Sequence, residues 1–229
     1  PRGLATPDYQ SPMRADLLWV YEGLTEYYGD VLAVRCGNWS PQGYREYLAK
    51  TIANLDCTPG RAWRPLQDTC DGAPFLYGAN GSYASWRRGT DFYDEGELLW
   101  LEADTIIREK SKGAKSLDDF CRVFHGAEFK AGALAGEAPR VEPYDIDDVC
   151  AALNAVTPHD WKAFFRSRLD ALTAQTPKDG LAAAGWSLVY SAEPNAFVKH
   201  AGDFRYSIGL SLKDSGEAED VLRGGAADK

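Results

Sequence analysis

Three acidic side chains recur at intervals of one helical turn near the start of the chain. Glu22, Glu26 and Asp30 stand at positions i, i+4 and i+8, which is a spacing that places them on one face of an α-helix. Carboxylates in such a row repel one another unless a cation or a basic partner lies beside them. The spacing therefore predicts either a cation-binding face or a solvated acidic stripe along the edge of a helix.

The residues around Glu22 are mostly apolar and aromatic. The run 19–23 reads Trp-Val-Tyr-Glu-Gly, so the carboxylate interrupts a helix that is apolar on most of its sides. Burying a bare carboxylate is costly. Glu22 is therefore expected to be solvated, paired with a basic group or bound to a metal ion.

This run resembles the Glu-Gly motif of the glycyl aminopeptidase family, which are zinc metallopeptidases of the gluzincin type. Four further segments are similar to that family, namely residues 1–9, 63–69, 88–89 and 91–96. Together they extend the resemblance over nearly the whole chain. The resemblance implies a mainly α fold that corresponds to the helical C-terminal half of a thermolysin-like catalytic domain.

The same resemblance implies roles for three residues. Glu22 would be a zinc ligand, and Glu26 would be a carboxylate that orients a metal-bound His. Tyr93, in the run Tyr-Asp-Glu-Gly at 93–96, would donate a hydrogen bond from its hydroxyl to the oxyanion of the tetrahedral intermediate. The structural alternatives are a surface acid at Glu26 and a packing tyrosine at the start of a helix. Glu95 and Glu97 are additional candidates for holding a substrate ammonium.

One part of the family's metal site is missing from the sequence. The three histidines, His125, His159 and His200, are far apart, and no His-Glu-x-x-His motif occurs in the 229 residues. In the family this motif supplies two zinc ligands and the general base. The resemblance thus implies a fragment of a zinc-dependent aminopeptidase that releases Gly or Ala from the N-terminus of peptides. We expect the fragment alone to be inactive and to hold zinc weakly.

Periodicity and capping signals predict the elements that position these residues. Residues 1–12 are expected to form a linker, 13–184 a helical catalytic region, and 185–229 a β-rich segment. Helices are predicted over 13–36, 41–55, 92–109, 116–126, 145–156 and 157–174, with a loop over 129–143 and strands over 186–190 and 204–212. Gly37 should end the first helix, and Ser40, Ser116 and Asp145 should begin later ones.

The C-terminal segment suggests a second function. Residues 205–212 resemble the carboxylate-binding loop and strand that open a PDZ domain, which binds extended peptides by strand addition. An ordinary β-hairpin is the alternative for this segment. The rival hypothesis for the whole protein is a non-catalytic peptide-binding or scaffolding protein with a degenerate peptidase fold.

The composition disfavours several classes of partner. The net charge is −9, which disfavours nucleic acids and anionic membrane surfaces and favours peptides with a free N-terminus. The sequence contains no run of about 18 apolar residues that would span a membrane. We expect a soluble bacterial protein, either periplasmic or cytoplasmic. The five cysteines are interpreted as free or buried thiols, with a Cys57–Cys70 disulfide as the alternative in an exported protein.

Overall fold

A computed structural model describes residues 1–77, 83–126, 142–193, 195–198 and 203–229. The helices are α1 (Leu18–Arg35), α2 (Pro41–Asp56), α3 (Leu66–Asp71), α4 (Ala73–Leu76), α5 (Ala84–Arg87), α6 (Asp94–Lys110), α7 (Leu117–Phe124), α8 (Ile146–Val156), α9 (Trp161–Leu169) and α10 (Asp179–Ala183). The strands β1 (Asp203–Phe204), β2 (Leu210–Leu212) and β3 (Ala218–Val221) form an antiparallel sheet in that order. A mainly helical fold is therefore confirmed.

Buried aromatic rings hold the long helices together. Trp19 of α1 lies with its ring centroid 4.7 Å from that of Phe165 of α9. Trp100 of α6 stacks on Phe120 of α7 at 5.3 Å. All four side chains are fully buried, and burial of such large apolar surfaces is the main stabilising contribution to a domain of this kind. Trp19 and Trp100 also stack on each other at 5.9 Å, so the core fixes α1 and α6 against each other.

The predicted helix ends are largely confirmed. The Ser40 hydroxyl accepts a hydrogen bond from the Gly43 backbone N–H, and both Ser116 and Asp145 form capping boxes. Gly37 follows α1 with a φ of +82°, the left-handed conformation that glycine adopts without a Cβ penalty. These signals are local, which is why they can be read from the sequence.

Two predicted helices are shorter in the structure. α1 begins at Leu18 instead of residue 13, because the preceding segment pairs with the chain start, where the Arg14 N–H donates to the Gly3 carbonyl at 2.8 Å. α9 begins at Trp161 instead of residue 157, and it ends at Leu169 instead of residue 174. Beyond that residue Leu172 is exposed, so no buried apolar contact supports a further turn.

The β predictions are wrong in part. No strand occurs over 186–190, where Trp186 lies under the Arg45 guanidinium instead of on a sheet. The continuous strand predicted over 204–212 is two short strands, β1 and β2, separated by a turn that ends at Gly209 with a φ of +78°. The resemblance to a PDZ domain is not confirmed. Most of the predicted 129–143 loop and His200 lie outside the described residues.

The sheet is attached to the helical part of the chain. The Tyr206 hydroxyl donates to Asn54 Oδ1 at 2.6 Å, and the Arg223 guanidinium lies 4.4 Å from the centroid of the Trp86 ring. Cys57 and Cys70 are buried free thiols, so the disulfide alternative does not hold. Among the helices in the described ranges, none has the length and apolar character needed to cross a bilayer.

Candidate active site

The crossing of α1 and α6 brings two of the predicted site residues together. Gly23 and Gly96 lie at the crossing, where a Cβ added to Gly23 would be 2.5 Å from the Gly96 carbonyl carbon. The backbones can approach this closely only because both positions lack a side chain. Glu22 precedes one glycine, and Tyr93 stands at the N-cap of the other helix.

Tyr93 and Glu22 are joined by a direct hydrogen bond. The Tyr93 hydroxyl donates to Glu22 Oε1 at 3.0 Å, although the two residues are 71 positions apart in the chain. Burial raises the pKa of Glu22, and the hydrogen bond from Tyr93 opposes that rise. Burial and the neighbouring Glu22 raise the pKa of Tyr93. The tyrosine therefore stays protonated, and remains a hydrogen-bond donor, throughout the neutral pH range.

A second tyrosine reaches the same pair. The hydroxyl of Tyr77 lies 3.0 Å from the hydroxyl of Tyr93. Tyr77 follows α4 directly, and its ring centroid is 6.4 Å from that of buried Phe92. The local sequence around Tyr77 does not distinguish it from the other aromatic residues of this region, so its place in the site could not be predicted.

The remaining acids form a cluster beside Glu22. Asp30 is only 8% exposed and Glu97 only 2%, and each has a carboxylate oxygen without a hydrogen-bond partner in the described structure. Burial raises the pKa of Asp30 to about 6 and, assisted by Asp91 and Glu26, that of Asp94 to about 6. Burial also raises the pKa of Glu97 well above its ordinary value. The solvated-stripe alternative therefore fails at Asp30.

Glu26 is partly buried and lies at the edge of this cluster. Its charge contributes to the raised pKa of Glu22, Asp30 and Asp94. Among the described residues no donor bonds to its carboxylate. Glu26 is therefore available to accept a hydrogen bond from a group outside that part of the chain.

Buried arginines hold the start of α6. Glu95 Oε1 accepts a hydrogen bond from Arg61 at 2.7 Å, and Glu95 Oε2 accepts one from Arg88. Arg88 is 1% exposed and also pairs with Asp91 at 2.7 Å. Both oxygens of Glu95 are thus engaged by arginines, and the ion pairs fix the turn on which Tyr93 stands.

The loop before α6 is held through its backbone. Arg64 donates to the carbonyl oxygens of Arg87 at 3.1 Å and of Arg88 at 2.6 Å. Arg88 itself has a φ of +55°, a conformation that is unfavourable for a residue with a long side chain. This arrangement could not be predicted from the sequence, because its partners are distant along the chain.

The described residues supply one candidate metal ligand but not a complete metal centre. No group of three or more His, Cys, Asp or Glu side chains within the described ranges is arranged to hold a metal ion. Glu22 suits a single ligand position, since Tyr93 bonds to one of its oxygens and no described donor bonds to the other. His125 packs on Phe124, and His159 packs on Trp161.

Comparison with known proteins finds a matching family model and a solved structure of similar fold. Residues 1–99, which include Glu22, Glu26 and Tyr93, match the family model of the M61 glycyl aminopeptidases. The match ends at residue 99, whereas the resemblance seen in the sequence motifs was predicted to cover nearly the whole chain. The crystal structure of an aminopeptidase N family protein from Idiomarina loihiensis aligns with a TM-score of 0.61 and 21% identity.

That alignment covers 80% of this chain and 29% of the other. At this level of identity the likeness shows the fold alone. The chain spans less than a third of the length of the solved protein. No curated protein matches the chain.

Proposed function

We propose that this chain, whose residues 1–99 match the family model of the M61 glycyl aminopeptidases, supplies part of the active site of a zinc-dependent aminopeptidase. Glu22 provides one metal ligand, and Tyr93 provides the hydroxyl that stabilises the oxyanion. Glu26 orients a metal-bound His. The substrates are peptides with a free N-terminal Gly or Ala, a preference that comes from the family resemblance.

The contact between Tyr93 and Glu22 carries this proposal. A metal ligand and an oxyanion donor must both lie within a few ångströms of the scissile carbonyl. The Tyr93 hydroxyl lies 3.0 Å from Glu22 Oε1, so the two groups are close enough together to act on one carbonyl. When a metal ion is bound, it supplies Lewis-acid polarisation of the carbonyl and an activated water.

Tyr93 contributes as a hydrogen-bond donor. Because its pKa is raised, the hydroxyl is a neutral donor near pH 7 and can bond to negative charge on the substrate oxygen. That charge develops only in the transition state, so the bond lowers the barrier instead of merely binding substrate. Asp94 and Glu26 give the surrounding surface a negative potential, which favours an ammonium group on the substrate.

The remaining chemistry is assigned to residues outside this sequence. Two further ligands and the general base would come from a His-Glu-x-x-His segment, which the 229 residues lack. The chain alone would then hold zinc weakly and show no turnover. The peptide-binding alternative depended on a PDZ-like C-terminus, and no specific contact in the sheet favours it.

The direct test uses a complete enzyme, meaning a polypeptide that joins this chain to a His-Glu-x-x-His segment. Hydrolysis of glycine and alanine p-nitroanilides is measured with zinc and after removal of zinc by a chelator. We expect turnover that needs zinc, and at least about tenfold lower turnover on the N-acetylated substrates, which lack the ammonium. Activity that survives chelation, or equal cleavage of blocked substrates, would refute the proposal.

A further inference from the structure

We propose that Tyr77 is a positioning residue that directs the proton of the Tyr93 hydroxyl into the reaction site. This inference rests on the proposed function, since it assigns Tyr77 to the reaction that Tyr93 assists. It adds a residue from the loop region before α5 to a site otherwise built from α1 and the start of α6. The link is the contact of 3.0 Å between the two hydroxyl oxygens.

The direction of the two hydrogen bonds follows from the number of protons. Tyr93 has one hydroxyl proton, and it donates that proton to Glu22 Oε1 at 3.0 Å. A carboxylate only accepts hydrogen bonds. The bond between the tyrosines must therefore use the proton of Tyr77, so that Tyr77 donates to Tyr93 and Tyr93 donates to Glu22.

The environment of Tyr77 suits this role. Phe92 is fully buried, and its ring centroid lies 4.8 Å from that of Tyr93 and 6.4 Å from that of Tyr77. The two tyrosines therefore share one rigid apolar neighbour. Tyr77 itself is 55% exposed, so its hydroxyl lies at the open edge of the site and not in the core.

A bond accepted by the Tyr93 oxygen has two consequences. A phenolic O–H otherwise rotates about its C–O bond, and occupation of one lone pair by Tyr77 restricts the directions open to the proton. Chains of hydrogen bonds also polarise one another, so a hydroxyl that accepts a bond is a stronger donor. Both effects act on the oxyanion contact, which is made in the transition state, and leave substrate affinity nearly unchanged.

The kinetic test compares Tyr77→Phe, Tyr93→Phe and the double variant in the complete enzyme. We expect Tyr77→Phe to lower kcat about 3- to 10-fold, the effect of one neutral hydrogen bond, with KM changed less than about twofold. In the Tyr93→Phe background the same substitution should have no further effect, because Tyr77 acts only through Tyr93.

Tyr83 offers a matched control. It is 72% exposed in the same region, and its hydroxyl has no hydrogen-bond partner among the described residues, so Tyr83→Phe should leave kcat unchanged. Wild-type turnover in Tyr77→Phe, or an equal loss in both backgrounds, would overturn the proposal. Full activity in Tyr93→Phe would overturn the proposed oxyanion role as well. The failure of the positioning role of Tyr77 can thus be distinguished from the failure of the oxyanion role of Tyr93.

A second measurement needs no catalysis. Tyrosine labelled with carbon-13 at Cζ is incorporated into the 229-residue chain, and the Tyr93 resonance is assigned by its loss in Tyr93→Phe. We expect Tyr77→Phe to shift the Tyr93 resonance at neutral pH, and Tyr83→Phe to leave it in place. An unchanged Tyr93 resonance in Tyr77→Phe would show that the hydroxyl contact does not form.

Discussion

Gly23 of α1 and Gly96 of α6 touch backbone to backbone, and a Cβ at Gly23 would lie 2.5 Å from the Gly96 carbonyl carbon. The Glu-Gly motif thus has a physical explanation in this chain. The glutamate faces the site, and the glycine lets the second helix come close enough for Tyr93 to reach that glutamate at 3.0 Å.

We predict that Gly23→Ala forces the two helices apart. The added methyl group meets backbone, which cannot rotate away as a side chain would, so the free energy of unfolding should fall by about 1–3 kcal/mol. Urea unfolding followed by circular dichroism measures this loss. In the complete enzyme the same change should reduce turnover, because it separates Tyr93 from Glu22.

Gly29 in the same helix is the control for that variant. It is exposed, and a Cβ there would meet nothing within 4 Å. Gly29→Ala should raise the free energy of unfolding by about 0.5–1 kcal/mol, since alanine is the better helix former. If both alanine variants proved equally stable, the close crossing at Gly23 would be wrong.

We predict that Glu22→Gln in the complete enzyme abolishes tight zinc retention, because a neutral amide is a poor ligand for the ion. Glu26→Gln should weaken zinc binding about 10- to 100-fold, the usual effect of a residue that orients a ligand. Metal content after dialysis against a weak chelator measures both. Glu193→Gln, at an exposed position, serves as the control, and equal zinc retention in all three variants would contradict the assigned roles.

We predict that Tyr93→Phe keeps zinc but lowers kcat by about 100-fold, the typical loss when one oxyanion donor is removed. The phenyl ring retains the packing on Phe92, at a ring distance of 4.8 Å, so the fold should survive. Steady-state kinetics and metal content are measured on the same sample. Tyr9 is fully exposed, and Tyr9→Phe should be indistinguishable from wild type. Normal turnover in Tyr93→Phe would exclude the oxyanion role.

The sequence predicts the local features of this chain better than its long-range ones. Capping at Ser40, Ser116 and Asp145 depends on neighbours within three residues, and the structure confirms each. The Trp186 segment has the composition of a strand but pairs with no strand among the described residues, and pairing cannot be read from one segment alone. Strand propensity therefore failed where the tertiary contact, here with Arg45, decided the outcome.

The same distinction applies to the site. The family resemblance predicted Glu22 and Tyr93 from motifs, and their contact is visible in the fold. The ion pairs of Glu95 with Arg61 and Arg88 join residues as much as 34 positions apart. A sequence shows these as ordinary charged residues, because burial, which makes the pairing obligatory, is a property of the fold.

We predict that Arg88→Met is strongly destabilising. The change leaves Asp91 without its partner at 2.7 Å and removes one of the two arginines on buried Glu95. Breaking a buried ion pair in this way costs about 3–5 kcal/mol. Arg87→Met is the matched control, because Arg87 is the exposed neighbour and should change stability by less than about 0.5 kcal/mol. Similar unfolding midpoints for the two variants would refute the buried network.

Asp30 should make the stability of the chain depend on pH. Burial raises its pKa from 3.8 to about 6, with Glu26 and Asp94 adding to the rise and a hydrogen bond with Glu97 opposing it. Between pH 3.8 and about pH 6, the Asp30 carboxyl therefore keeps its proton in the folded state, whereas it has lost that proton in the unfolded state. The contribution of Asp30 to stability is full below pH 3.8 and is lost as the pH rises through about 6.

Asp30→Asn removes the ionisation and should therefore stabilise the chain only where the wild-type carboxyl is charged. We expect a gain of about 2–3 kcal/mol near pH 8, falling below about 1 kcal/mol near pH 4, because each unit of pKa shift is worth about 1.4 kcal/mol. Urea unfolding at the two pH values measures the difference. Asp214→Asn, in an exposed turn, should show no such trend. A gain from Asp30→Asn that is the same at both pH values would mean that the Asp30 carboxyl does not change its charge between them. The raised pKa assigned to Asp30 would then be wrong.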